Sequence, residues 1–245
     1  MSSRILYKAF SLTEVLLAVA TLAIGMLFIA GTFLAGIYLT TVAAERTTAA
    51  VVADEAFAKI RLYGVDPADP NLGVRHLRRF EDVAARRPIG PEEFAYPSTP
   101  VDISEKQYYW SALCRRVDPN AASRLVQVTV FVTRKTASAA SYLSRDVAGR
   151  PGPKQATFVA IGTGGSNVLT ISLPYITWVN DACTIVDDQT GRIYRVLQRR
   201  ADQPNTVELD TLWQGPLAGF VWVVPPPIGS GKDPCIAVYQ KVMRF

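Results

Sequence analysis

FSLTEVLLAVATLAIGMLFIAGTFLAGIYLTTVAAERTTAAVVADEAFAKIRLY, residues 10–63, decides the fold. From Val15 to Ala44 no residue is charged, and 23 of the 30 positions are apolar. As a helix rising ~1.5 Å per residue this run is about 45 Å long, against a hydrocarbon core of ~30 Å. After Ala44 the pattern turns amphipathic. Ala49, Val52, Ala53, Ala56, Ile60 and Tyr63 recur at helical spacing. Glu55 and Lys59 form a favourable i,i+4 pair on the other side. Gly64, Asp66-Pro67 and Asp69-Pro70 then end the helix. One helix from about Ser11 to Tyr63 is expected, about 80 Å long. Its first half suits a membrane, with about residues 15–38 crossing it. Its second half needs a sheet to cover the apolar stripe.

The composition agrees with that division. The chain has 245 residues, 49% hydrophobic and 19% charged, with a mean hydropathy of +0.15. The charged share is below the ~25% usual for soluble domains. Every Lys, Arg, Asp and Glu lies outside residues 15–44, so the apolar excess belongs to one segment and the rest is ordinary globular material. Global disorder is excluded by the many β-branched and aromatic residues. The net charge of +5 includes Arg4 and Lys8 and is too small to point to nucleic acid. His76 is the only histidine, and Cys114, Cys183 and Cys235 form no CxxC. No metal site, cofactor or catalytic constellation is indicated.

The start of the helix carries the functional signal. A cleaved secretory signal has an apolar region of only ~7–15 residues, and a lipoprotein signal needs a Cys that is not there. A plain signal anchor fits the length but leaves Glu14 without a reason. A carboxylate at a membrane helix centre costs ~2.5–3.5 kcal/mol on insertion scales, less near the interface. Nothing basic follows Glu14 for 30 residues. If the chain is cut after Ala9, Phe10 gains a free α-ammonium four residues away, about 6 Å along the axis. That ammonium on one chain is a partner for Glu14 on the next. Arg4 and Lys8 ahead of the helix keep the N-terminus cytoplasmic and send the body across the membrane.

Lys8-Ala9-Phe10-Ser11-Leu12-Thr13-Glu14-Val15-Leu16-Leu17-Ala18 resembles the prepilin signal of type IV pilins and type II secretion pseudopilins. Ala9 stands where that family usually has Gly. The continuation Leu22-Ala23-Ile24-Gly25-Met26-Leu27 looks most like V-type minor pilins and I-type minor pseudopilins. The resemblance covers about residues 4–63. It implies a cytoplasmic leader, residues 1–9, cut by a prepilin peptidase between Ala9 and Phe10. It implies N-methylation of Phe10, assembly through Glu14, and other pilin or pseudopilin subunits as partners in the inner membrane. The body is then periplasmic. The competing reading is an unprocessed, signal-anchored binding protein with a ligand-recognising β module. Gly25, Gly31 and Gly36 read as close helix packing or as points of local melting.

Downstream the expected class is α+β: the long helix packed on an antiparallel sheet, then a β-rich barrel or sandwich. Residues 64–136 are expected as a connection, with a short helix at 75–86, followed by a hairpin. The hairpin strands are Tyr108–Val117 and Leu125–Arg134, where Val126, Val128, Val130 and Val132 alternate with polar residues. It should cover helix residues 52–63. Residues 137–154, rich in Ala, Ser, Gly and Pro, read as a linker. Residues 155–245 contain seven short strands and read as a β module, separate or continuous with the first sheet. Asp188–Gly191 reads as a hairpin turn rather than a metal ligand set with Asp187 and Asp210. Arg75, Arg78, Arg79, Arg86 and Arg87 read as a solvated face or as a patch for anionic lipid headgroups or an acidic neighbour. Pro226–Asp233 fails the phosphate-loop pattern. Cys183 and Cys235 are candidates for a disulfide in an extracytoplasmic body; the alternative is buried free thiols.

Overall fold

The computed structural model describes residues 11–98, 102, 105–120, 123–137, 140–143, 150–160, 166–229 and 232–245. The chain divides into two compact units, the first ending at Glu45 and the second running from Arg46 to Phe245.

Helix α1 runs from Leu12 to Tyr63. It is unbroken at Gly25, Gly31 and Gly36. Its apolar part exposes large side chains on all sides, among them Leu16, Leu27, Phe28, Phe33 and Leu39. The few polar side chains there are satisfied locally. Thr21, Thr32, Thr40 and Thr41 donate their hydroxyls to carbonyls three or four residues back. Such back-bonding suits a helix with no water beside it. Among the described residues α1 is the one helix long and apolar enough to cross a membrane. It ends as expected. Gly64 has φ +72° and donates its N–H to the Ile60 carbonyl at 2.9 Å, a left-handed stop that favours glycine.

In the second unit, β1 (Arg78–Arg79) leads into α2 (Phe80–Val83), which is one turn rather than a helix over 75–86. β2 (Ala95–Tyr96), β3 (Tyr108–Arg116) and β4 (Leu125–Arg134) follow. β3 and β4 form the expected antiparallel hairpin, Cys114 facing Val128 and Trp110 facing Val132. β1 and β2 pair with the outer edge of β3. Then come β5 (Lys154–Ala160), β6 (Val168–Ile171), β7 (Thr184–Asp187), β8 (Ile193–Arg199), β9 (Thr206–Leu209), β10 (Ala218–Val223) and β11 (Cys235–Arg244).

Six of these seven close into a barrel in the order β10-β5-β6-β9-β8-β7. β10 pairs with both β5 and β7, so no barrel edge is left open. β11 has no place there. It returns to the first sheet and pairs with β4 over its whole length, Met243 facing Val126 and Ala237 facing Val132. The module expected at 155–245 is therefore a barrel inserted between two neighbouring strands of the first sheet, and its seventh strand belongs to that sheet.

The helix side of this sheet is apolar. Val52, Ala53, Ala56, Phe57 and Ile60 of α1 pack with Trp110, Ala112, Cys114, Val126, Val128, Val130, Val132 and Met243. Each fully buried Val or Ile of this kind contributes about 1.5–3 kcal/mol. The barrel has a core of its own around Phe158, Leu169, Ile185, Val196, Trp213 and Val221. A third, smaller cluster joins barrel to sheet: Leu77, Leu113 and Phe131 against Val186, Trp222 and Val224.

The expected linker is partly structural. Residues 138–139 and 144–149 lie outside the described residues. Arg150, Pro151, Gly152 and Pro153 are buried. Arg150 donates to Glu81 Oε1 at 2.7 Å, and its guanidinium lies 4.1 Å from the Phe94 ring centroid. Thr133 Oγ1 donates to the Pro151 carbonyl. Prolines and small residues signalled a loop, but they also let this backbone lie close against the sheet.

Candidate functional site

The residues singled out at the N-terminus are only partly described. Ala9 and Phe10, the expected cleavage and methylation positions, lie outside the described residues. Glu14 is described. It sits in the first turn of α1, and its backbone N–H donates to Ser11 Oγ at 3.2 Å. The Ser11 hydroxyl is also 2.8 Å from Thr13 Oγ1. Ser-x-x-Glu at a helix start is the capping-box pattern, and an acid in the first turn is favoured by the helix dipole. Ser11 thus caps the helix through the Glu14 backbone N–H, a role that the sequence reading missed, although the Ser11–Glu14 spacing was the signal for it. A capping role is served by Gln as well as Glu; a charge-pairing role is not.

The other candidate residues lie in the second unit and do not converge on one site. Cys114, Cys183 and Cys235 are all free thiols, Cys114 and Cys183 buried and Cys235 half-buried, so Cys183 and Cys235 are not joined in this structure. Burial is the main cause that pushes Cys183 up to about 12. Burial, then the nearby Asp233 and Cys183, pushes Cys235 well up. Cys114 is raised by burial and Glu81. A thiol held protonated in this way is a poor nucleophile. No cluster of three metal-ligating side chains occurs among the described residues.

The two adjacent acids at the β7–β8 turn divide their work. Asp187, not Asp188, makes the turn. Its carboxylate accepts the Gln189 and Thr190 N–H groups at 3.3 and 3.0 Å, and its carbonyl accepts Gly191 N–H at 2.9 Å. Gly191 takes φ +69°. Asp188 points the other way, into the contact between barrel and sheet, and is 1% exposed. It accepts Trp222 Nε1–H at 2.7 Å, the Leu77 N–H at 3.2 Å and Gln155 Nε2 at 3.4 Å. His76 Nδ1 stands 2.6 Å from its other oxygen. The lone histidine is thereby a partner of a buried structural carboxylate. Asp210 is separate and accepts the Arg195 N–H at 3.1 Å.

Further polar contacts line the same junction. Arg115 donates to Gln127 Oε1 at 2.6 Å and to the Gln189 carbonyl. Gln240 Nε2 donates to Thr129 Oγ1 at 3.0 Å and to the Gly191 carbonyl at 2.7 Å. Of the arginine cluster, Arg87 pairs with Asp69 at 3.0 Å and Arg79 donates to the Pro153 carbonyl at 3.4 Å. Part of that cluster is thus structural. Trp110, Trp213 and Trp222 are buried. Trp178 is partly buried.

No known protein family, curated protein or solved structure matches this chain.

Proposed function

We propose that the chain is a minor pilin or pseudopilin: a membrane-inserted structural subunit of a type IV pilus or type II secretion-like apparatus. The observation that carries this reading is α1. It joins a long, uniformly apolar and outward-facing segment to a half that packs on a sheet, with one acid, Glu14, at its head. An apolar helix surface of that length needs lipid or like helices around it. The sequence around it resembles a prepilin signal. On this reading a prepilin peptidase cuts between Ala9 and Phe10, Phe10 is N-methylated, and its ammonium pairs with Glu14 of a neighbouring subunit. The body then lies in the periplasm.

A second reading has one observation in its favour. Ser11 caps α1 through the Glu14 backbone N–H, and an acid in the first turn suits the helix dipole, so the helix start is complete without a neighbouring subunit. In that case the leader stays on and the barrel is displayed by a simple anchor. N-terminal mass spectrometry of the membrane-extracted protein separates the two. A chain beginning at methylated Phe10 is the expected result; an intact leader overturns the assembly reading. Glu14→Gln is the sharper variant, because it keeps the capping geometry and removes the charge. It is expected to insert normally and to fail in co-purification with pilin-like subunits. Normal incorporation would leave the Phe10–Glu14 pairing without support.

A further inference from the structure

β11 is the terminal strand of its sheet, with β4 on one side only. Phe245 N–H donates to the Arg124 carbonyl at 3.0 Å, and Arg134 N–H to the Pro234 carbonyl at 2.9 Å. The register between them pairs Met243 with Val126 and Lys241 with Val128. Antiparallel neighbours alternate between hydrogen-bonded and non-bonded pairs. Phe245, Met243 and Lys241 therefore bond β4, while Val242 and Arg244 turn their N–H and C=O groups outward. Among the described residues those outward groups have no partner. Nearer its start the strand is covered by the barrel, where Gln240 reaches the Gly191 carbonyl. The open edge is its last few residues.

Beside this edge lies a groove of about 370 Å³ between α1 and β11, lined by Phe57, Ala58, Arg61, Val242 and Met243. Val242 is 58% exposed. The one acid lining it, Asp54, is engaged by Lys241 Nζ at 3.0 Å, and Lys241 also lies 4.5 Å from the Phe57 ring centroid. Arg61 and Arg244 are exposed and make no hydrogen bond or ion pair among the described residues. The groove is thus an apolar trough with an unpaired strand edge and surplus positive charge. An exposed edge is a template for another strand. Strand addition draws affinity from the main chain and specificity from alternate side chains.

We propose that this edge binds an extended acidic segment of a partner protein. The segment pairs with Val242 and Arg244, places alternate apolar side chains in the groove beside Phe57 and Met243, and sets the carboxylates between them on the opposite face, against Arg244, while Arg61 adds longer-range attraction from the groove side. The inference goes beyond the assembly reading and stands on the second unit alone, so it survives or fails independently of leader processing.

The test uses the full-length protein in detergent micelles. The probe is a short capped, fluorescein-labelled peptide alternating Val and Glu, compared with one alternating Val and Lys. Anisotropy should show saturable binding of the acidic peptide only, and hydrogen exchange should slow at the Val242 and Arg244 amides. Val242→Pro removes an outward N–H without removing a bond to β4, a position where an edge strand tolerates proline. It should weaken binding about tenfold, the worth of one hydrogen bond. Arg61→Glu with Arg244→Glu, both surface changes, should reverse the peptide preference. Equal binding of the two peptides, or unchanged exchange at Val242 and Arg244, overturns the proposal. So does self-association of the peptide-free protein that Val242→Pro abolishes, since the occupant would then be a second copy.

Discussion

On the helix side of β4 stand Val126, Val128, Val130 and Val132; on the barrel side stand Gln127, Thr129, Phe131 and Thr133. All eight are buried. The first face is closed by hydrophobic contact with α1, which asks only for apolar shape. The second is closed by a hydrogen-bonded layer around a smaller apolar cluster, and that layer asks for matched donors and acceptors. A buried polar layer is costly when any member is lost. It resembles a contact between domains more than the inside of one. The two faces should therefore fail differently.

The largest effect is expected on the helix side. Trp110 is 1% exposed, with its ring centroid 4.8 Å from that of Phe94 and its Nε1–H donated to the Glu93 carbonyl. Trp110→Ala should cost about 3–5 kcal/mol. Urea unfolding of the full-length protein in detergent measures the loss. Hydrogen exchange should show β3 and β4 deprotected while barrel amides such as Phe158 and Ile185 keep their protection. Uniform deprotection would mean that the two faces do not define separable units.

The barrel side should respond less and more locally. Asp188→Ala strands the indole N–H of Trp222 and the Leu77 N–H, at a cost of about 2–3 kcal/mol. Asp188→Asn retains an acceptor for them and should lose less. Trp222 emission should shift to the red in the Ala variant and much less in the Asn variant. Equal effects from both would show that the carboxylate's charge, and not its accepted bonds, holds the junction.

The contrast also explains what could be read from the sequence. α1 was legible because Val52, Ala56 and Ile60 repeat at the helical period, and its stop was written in Gly64. β4 was legible from its alternating valines. The burial of Gln127, Thr129 and Thr133 was not, because polar residues alternating with apolar ones read as a solvent face whether water or a second domain covers them. Nor could the strand pattern distinguish β11 from the barrel strands. Closure is a property of pairing partners, and β10 already has one on each side. At the candidate site the Ser11-x-x-Glu14 cap was written plainly but was overshadowed by the apolar run behind it. The Asp188 junction left only a weak trace: of two adjacent acids where a strand ends, successive side chains face opposite ways.

The smallest effect lies where the chain crosses from barrel to sheet, and it sharpens the comparison through pH. The Asp233 carboxyl is pushed up from 3.8 to about 6, chiefly by burial, against the opposing pull of the Cys235 N–H and Arg134. Its oxygen accepts that N–H at 2.8 Å. Between these two values the folded chain holds a proton that the unfolded chain has released. The stability tied to Asp233 is therefore complete below pH ~4 and is lost as pH rises through about 6. Asp233→Asn keeps an acceptor for the Cys235 N–H and removes the titration. The difference in Tm between native protein and variant should shrink or change sign from pH 4 to pH 7. Trp110→Ala, on the apolar face, should leave that difference alone. Parallel Tm curves for the native protein and Asp233→Asn would show that the entry to β11 is wetter than its packing implies. The polar side of the sheet would then be held by Asp188 and its neighbours without help from this corner.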